Sequence, residues 1–247
     1  MRALFFTDPH RGFNQNTSII MDKVLLSIDP SSFDIVIVSG DWGTMKLKHV
    51  KGAFKAFRRA YPDKVILGVL GNHDLWDKNI KSLASKFQKI NEFAIAYDIH
   101  LLEKNPYESG DYLFLGFNGW YAYDHNDTND MLNIFPFTDG ESTDNYLRRL
   151  ADDAVNFMID YPKENKTVIS VTHFPCIEEV MDKPHWNGHP KHGEILLGFS
   201  DMIVFGHTHQ AHDNVIDGVR VLNVGADYNK IKYKIVDLST VKKNRGV

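Results

Sequence analysis

Five short segments break the apolar runs of this chain with imidazole, carboxylate and amide groups: Asp8-Pro9-His10, Gly40-Asp41, Gly71-Asn72-His73-Asp74, His173, and Gly206-His207-Thr208-His209. Imidazole nitrogen combined with carboxylate and amide oxygen suits borderline divalent cations such as Mn²⁺, Fe²⁺, Zn²⁺ or Ni²⁺. An all-oxygen cage would instead suit Ca²⁺ or Mg²⁺. The donors outnumber what one ion needs, and the Asp41 carboxylate has two oxygens with which to bridge a pair. Two divalent metal ions are therefore expected, with manganese as the first candidate.

The elements that must position these groups are short. Continuous apolar, β-branched runs at Ala3–Thr7, Ile35–Ser39, Val65–Leu70, Thr167–Thr172 and Met202–Phe205 predict strands covered on both faces. Helices are expected between them at Ser18–Ser27, Val50–Tyr61, Ile80–Phe93 and Thr143–Asp160. Asp217-Gly218 between apolar runs signals a hairpin, and Lys232–Leu238 supplies a last strand. Helical crossovers early and hairpins late make the sheet mixed.

Each polar segment follows one of the five strands. In open α/β sheets ligands bind beyond the carboxyl ends of the strands, so the five can converge although they span two hundred residues. Residues two apart in an extended segment face the same side, so His207 and His209 can aim at one point. Glycines 40, 71 and 206 sit where the chain must turn and where a Cβ would block a ligand. Singly, Asp8-Pro9-His10 is compatible with a turn, Gly40-Asp41 with a helix cap and His173 with a hydrogen-bonded core residue. Their joint occurrence at five strand ends is what points to one site.

In these residues and in their order the sequence resembles the calcineurin-like metallophosphoesterase family, whose pattern is Asp-x-His, Gly-Asp, Gly-Asn-His-(Asp/Glu), a lone His and Gly-His-x-His. The resemblance runs from position 8 to position 209. It implies an α/β fold, a four-layer α/β/β/α sandwich with two mixed β-sheets, and a dinuclear centre that hydrolyses phosphate esters. It further implies that Asp8, His10 and His209 hold the first metal and Asn72, His173 and His207 the second, with Asp41 between them. His73 resembles the family's proton donor, with Asp74 as its orienting partner.

Other residues are candidates for substrate contact. Trp42, Trp76 and Tyr121, among the aromatic residues flanking the motifs, are candidates for a wall against a planar group, or for packing. His185, Lys191 and His192 lie between the last two motifs, on a loop expected either to overhang the site or to be a polar surface loop. Asn118–Glu141, long and poorly periodic, is expected to shape substrate entry. Lys48, Lys51, Lys55 and Arg58 recur at helical spacing as a basic stripe, either a solvated helix face or a track for a nucleic-acid backbone.

A net charge of −4 provides no general attraction to nucleic acid or anionic membrane. The single cysteine, Cys176, excludes an internal disulfide and a Cys₄ zinc site. The apolar run near Met1 is too short for a signal peptide, and no segment nears the ~20 residues of a membrane span. The expectation is a cytoplasmic phosphoesterase of a single domain, residues 1–247, with a small phosphate-ester substrate and no membrane partner. The alternatives are a metal-dependent DNA/RNA nuclease using the basic helix and a scaffold that has lost its chemistry.

Overall fold

The computed structural model describes residues 1–76, 82–120, 143–181 and 188–242. Strands β1 (Arg2–Phe6), β2 (Ile35–Ser39), β3 (Val65–Val69) and β4 (His100–Leu101) lie parallel in one sheet. The second sheet contains β5 (Tyr107–Ser109), β6 (Tyr112–Phe117), β7 (Thr167–Thr172), β8 (Met202–Val204), β9 (Ala211–Ile216) and β10 (Val219–Val224). Its strand order is β5-β6-β7-β8-β10-β9, parallel from β6 to β10 and antiparallel at both edges. β11 (Tyr233–Asp237) returns to the first sheet antiparallel to β1. Both sheets are mixed, as expected.

Alternation along the strands builds four layers. Ala3, Phe5, Ile35 and Ile37 face the second sheet and pack with Phe114, Ile169, Val171 and Val204. Leu4, Phe6, Val36 and Val38 face outward, against α1 (Gln15–Ser27), α2 (Leu47–Ala60) and α4 (Leu83–Ala96) through Met21, Leu25, Phe54, Phe57 and Ile90. The outer face of the second sheet, with Leu113, Leu115 and Val168, is covered by α5 (Thr143–Asp160) and α6 (Pro190–Phe199). A single helical turn, α3 (Asn72–Leu75), follows β3 directly.

Strand bounds fall within a residue of those read from the sequence, because apolar runs stop where the chain leaves the core. Helix starts shift more. α1 begins at Gln15, where the Asn14 side chain accepts from the Thr17 amide, and α4 begins after Ser82, which caps it in the same way. No helix among the described residues is long and apolar enough to cross a membrane. The basic stripe is interrupted: Arg58 is half-buried and its guanidinium donates to the carbonyls of Tyr97, Tyr61, Pro62 and Lys64. Lys48, Lys51 and Lys55 remain exposed.

The carboxyl edges of the two sheets are stitched together. Asn118, after β6, donates from Nδ2 to the Leu70 carbonyl at 2.5 Å, and its own carbonyl accepts from the amides of His173 and Phe174. Asn223, on β10 and buried, accepts at Oδ1 from Thr7 Oγ1 and the Gly225 amide. Its Nδ2 donates to the Gly206 carbonyl and to Thr208 Oγ1. One side-chain amide thus ties two points of the Gly-His-Thr-His segment to β1 and β10. Asn223→Leu should lower the unfolding free energy by about 1–3 kcal/mol, since buried partners lose their hydrogen bonds. Denaturant titration in chelator checks this, and an unchanged midpoint would show that the loop does not depend on Asn223.

Candidate metal centre

Five side-chain-bearing turns meet at this stitched edge. Asp8, His10, Asp41, Asn72 and His173 are buried, with Asp8, His10 and His173 at 0% exposure, while His73, His207 and His209 are half-buried. Among the described residues, three groups place ligand atoms within 4.8 Å of one another: Asp8, His10 and His209; His10, Asp41 and His73; Asp8, Asp41 and His173. Asp41 Oδ2 lies 3.4 Å from both His10 Nε2 and His173 Nε2. His173 Nε2 is also 2.9 Å from Asn72 Oδ1. The ring of His207 belongs to none of these three groups and packs on Phe174, while its amide donates to Asp8 Oδ1.

The backbone is bent to achieve this. Asp8, His10, Asp41, His207 and His209 all adopt positive φ, between 44° and 66°. Such a conformation costs of order 1–3 kcal/mol in a residue with a Cβ and persists where surroundings enforce it. Gly40 has φ +84°, and a Cβ there would stand 2.5 Å from His173 Nδ1. A Cβ on Gly71 would collide with Asp41 Oδ1 and its amide. These glycines leave room for the ligand side chains themselves.

The hydrogen atoms decide what the cluster can bind. His173 Nδ1 lies 3.0 Å from the Ser39 carbonyl, which only accepts, so Nδ1 carries the proton and Nε2 presents a lone pair. That lone pair faces the Asp41 carboxylate. His209 repeats the pattern: Nδ1 lies 3.4 Å from Asp227 Oδ1, and Nε2 lies 3.2 Å from His10 Nε2. Asp8 Oδ2 and His10 Nδ1 are buried with no hydrogen-bond partner. Lone pairs of His173 and His209 aimed at the Asp41 and Asp8 carboxylates repel, and divalent cations between them would resolve the conflict. The donor set therefore fits metal ions, with Asp8, His10, Asp41, Asn72, His173 and His209 already in range and the His207 ring beside that of His173, at 5.2 Å between centroids.

Electrostatics agree. Burial pushes the Asp8 carboxyl up to about 6. Burial first, then His73 and the other imidazoles, hold His10 well below its ordinary value. Burial likewise takes His173 down to about 3 against the Ser39 hydrogen bond. Neutral imidazole is the ligating form.

Several expected roles change. Asp74 does not touch His73; its carboxylate accepts from the amides of Gly71, Trp42 and Gly43, at 2.9, 3.1 and 2.8 Å. Neighbours on a helical turn point about 100° apart, so Asp74 braces the Asp41 loop while His73 faces the ligands. The His73 ring packs instead on Trp76, at 4.1 Å between centroids. Trp42 is no wall residue: fully buried, it donates from Nε1 to the Val69 carbonyl and meets Phe54 and Phe57 edge-on. His192 is buried on α6, 2.8 Å from Asp152 of α5, so helix packing claims it rather than substrate. Lys191 is exposed on the same helix. Tyr121 and His185 lie outside the described residues, as does most of Asn118–Glu141.

Two groups at the site carry no motif. Asp227 orients His209, the arrangement by which a carboxylate fixes the tautomer of a ligating histidine. Tyr228 sets its ring 4.5 Å from that of His10 and 4.9 Å from that of His209. A carboxylate next to a tyrosine on a turn has no periodic signature, so only proximity reveals them.

Comparison with known structures finds the same architecture in distant proteins. A phosphopantetheinyl hydrolase from Mycobacterium tuberculosis superposes with a TM-score of 0.71 at 18% identity, over 92% of this chain and 89% of that one. A dimetal phosphatase from Danio rerio superposes with a TM-score of 0.61 at 10% identity, over 94% and 91%. At these identities the likeness is one of fold. Comparison with curated protein sequences finds no significant match. A family model of calcineurin-like phosphoesterases matches residues 1–211, a span that contains all five motifs. The chain belongs to the calcineurin-like phosphoesterase family, and it is a metal-dependent phosphoester hydrolase.

Proposed function

We propose that this enzyme hydrolyses a small phosphomonoester or phosphodiester, nucleotide-derived in character, at a dinuclear centre held by Asp8, His10, Asp41, Asn72, His173, His207 and His209. The observation that carries this reading is Asp41 Oδ2, equidistant at 3.4 Å from imidazoles of the two ligand groups. When bound, the two ions supply Lewis acidity toward the phosphate oxygens and a nucleophile at neutral pH. Manganese is the first candidate, with iron, zinc or nickel as alternatives.

The chain's own residues do the rest. Asp227 keeps the His209 tautomer, and Asp74 holds the turn that carries Asp41. His73 acts as the acid that protonates the departing alkoxide. Burial first, and His209 second, pull its imidazole down to about 3, so the ring by itself is neutral near pH 7. A bound anionic phosphate ester would favour the protonated ring, which takes its proton from solvent and then gives it to the departing alkoxide. Trp76, tilted at 40° against the ring, keeps it aimed. The loss of Arg58 from the basic stripe argues against a nucleic-acid track, which would need consecutive phosphate contacts. Cys176, buried and free, supports a reducing, cytoplasmic setting, and residues 1–247 are taken as one domain.

Two variants test the assignments. His73→Ala should keep its metal content while turnover of an alkyl phosphate drops by about 10²–10⁴-fold, with a much smaller loss on an activated aryl phosphate. Equal loss on both, or loss of metal, would count against His73 as the acid. Asp41→Asn should fall to less than one tightly held ion per chain by elemental analysis after dialysis, because both ions share that carboxylate. Two ions retained would remove the bridge.

A further inference from the structure

Beside the ligands stands a pair of aromatic rings that neither the metal centre nor the core explains. Phe13 is 46% exposed, and its ring lies 4.2 Å from that of Tyr228 at an interplanar angle of 24°. Tyr228 in turn leans on the imidazoles of His10 and His209, and its ring centroid is 6.2 Å from that of His73. Neither ring belongs to the hydrophobic clusters that build the two outer layers and the sheet interface. The half-exposed Phe13 ring, stacked on Tyr228, sits beside the candidate metal centre and leaves its outer face free.

The pair is held in place from both sides. Thr17 Oγ1 donates to the Tyr228 carbonyl at 2.8 Å, and the Tyr228 amide donates to Asp227 Oδ1 at 2.7 Å. Asn14, the cap of α1, donates from Nδ2 to Asn229 Oδ1, tying the Phe13 segment to the Tyr228 turn. The Phe13 amide donates to the carbonyl of His10, itself a ligand. The rings are thus fixed relative to the candidate ligands by short chains of hydrogen bonds. Rigid aromatic surfaces of this kind bind planar groups by stacking at little entropic cost.

We propose that Phe13 and Tyr228 form a specificity platform on which the planar ring of the substrate's ester group stacks while its phosphate sits at the metals. The enzyme would then prefer phosphate esters carrying a nucleobase or an aryl ring over esters of a plain sugar or alkyl alcohol. This deepens the function proposed above and rests on it. The candidate ligands keep their donor atoms free for metal, since the rings meet His10 and His209 only through their faces and edges.

The test compares adenosine 5′-monophosphate with ribose 5-phosphate, which differ only in the base, on the manganese-loaded protein. Affinity is measured by calorimetry and kcat/KM by phosphate release, for the parent chain, Phe13→Ala and Phe13→Tyr. The parent should favour the nucleotide in both readouts. Phe13→Ala should cut that preference roughly 5- to 150-fold, the range that stacking of one base covers, with metal content at the parent value. Phe13→Tyr, which keeps a ring, should restore it. Phenyl phosphate binding separates the two ligand sources: weakening by Phe13→Ala assigns the platform to any planar ring, and no weakening confines it to a base. A parent that does not discriminate, or a preference that survives Phe13→Ala, overturns the proposal. If none of these esters is hydrolysed, the substrate class proposed above fails, and the calorimetric preference still decides the platform.

Discussion

Two carboxylates, Asp8 and Asp41, are buried at the seam between the sheets among imidazoles that face them with lone pairs. Such a cluster does not hold itself together. Burying anionic oxygen costs several kcal/mol unless a cation or a hydrogen-bond donor compensates it, and Asp8 Oδ2 has no donor. The conflict is tolerated because the surrounding fold imposes it. Cations would turn the repulsion into coordination, so the burial that destabilises the cluster by itself would favour metal binding.

What imposes the geometry is a layer of ordinary polar residues behind the ligands. Asp74 gathers three amides around the Asp41 loop, Asn223 holds the histidine-bearing turn to Thr7, and Asn118 joins β3 to β6 across the two sheets. Lys86, fully buried on α4, donates to the carbonyls of Met45 and Trp76, at 3.1 and 2.5 Å, and so fixes the turn on which His73 rests. None of these touches the reacting atoms. Their work is to keep residues at positive φ and glycines within contact distance of ligand side chains, so that a small reorientation is not available to relieve the strain.

Local pattern and tertiary environment diverge most clearly among the aromatic and acidic residues flanking the motifs. Trp42 follows a ligand in the chain yet turns into the core, because the residue after Asp41 faces the opposite way, toward α2. Asp74 follows His73 and turns away from it for the same helical reason. His192 has the composition of a substrate contact and the position of a helix-packing residue. In contrast, Phe13 and Tyr228, distant in sequence and outside every motif, stand at the mouth of the site.

The order of apolar runs and crossovers was enough to specify a mixed sheet, the bounds of the main strands and the strand ends at which ligands gather, while the division into two sheets came from the family resemblance. Those properties are local: a run of β-branched residues makes a strand, and the polar group that ends it lies at its carboxyl end. The direction of several side chains beyond that end depends on hydrogen bonds to residues far away in the chain, such as His173 to Ser39 or the Asp8 carboxylate to the His207 amide. Only the packed structure decides those. That is why the metal-binding residue types were legible in the sequence, while the brace at Asp74, the orienting Asp227 and the aromatic rim emerged from the fold.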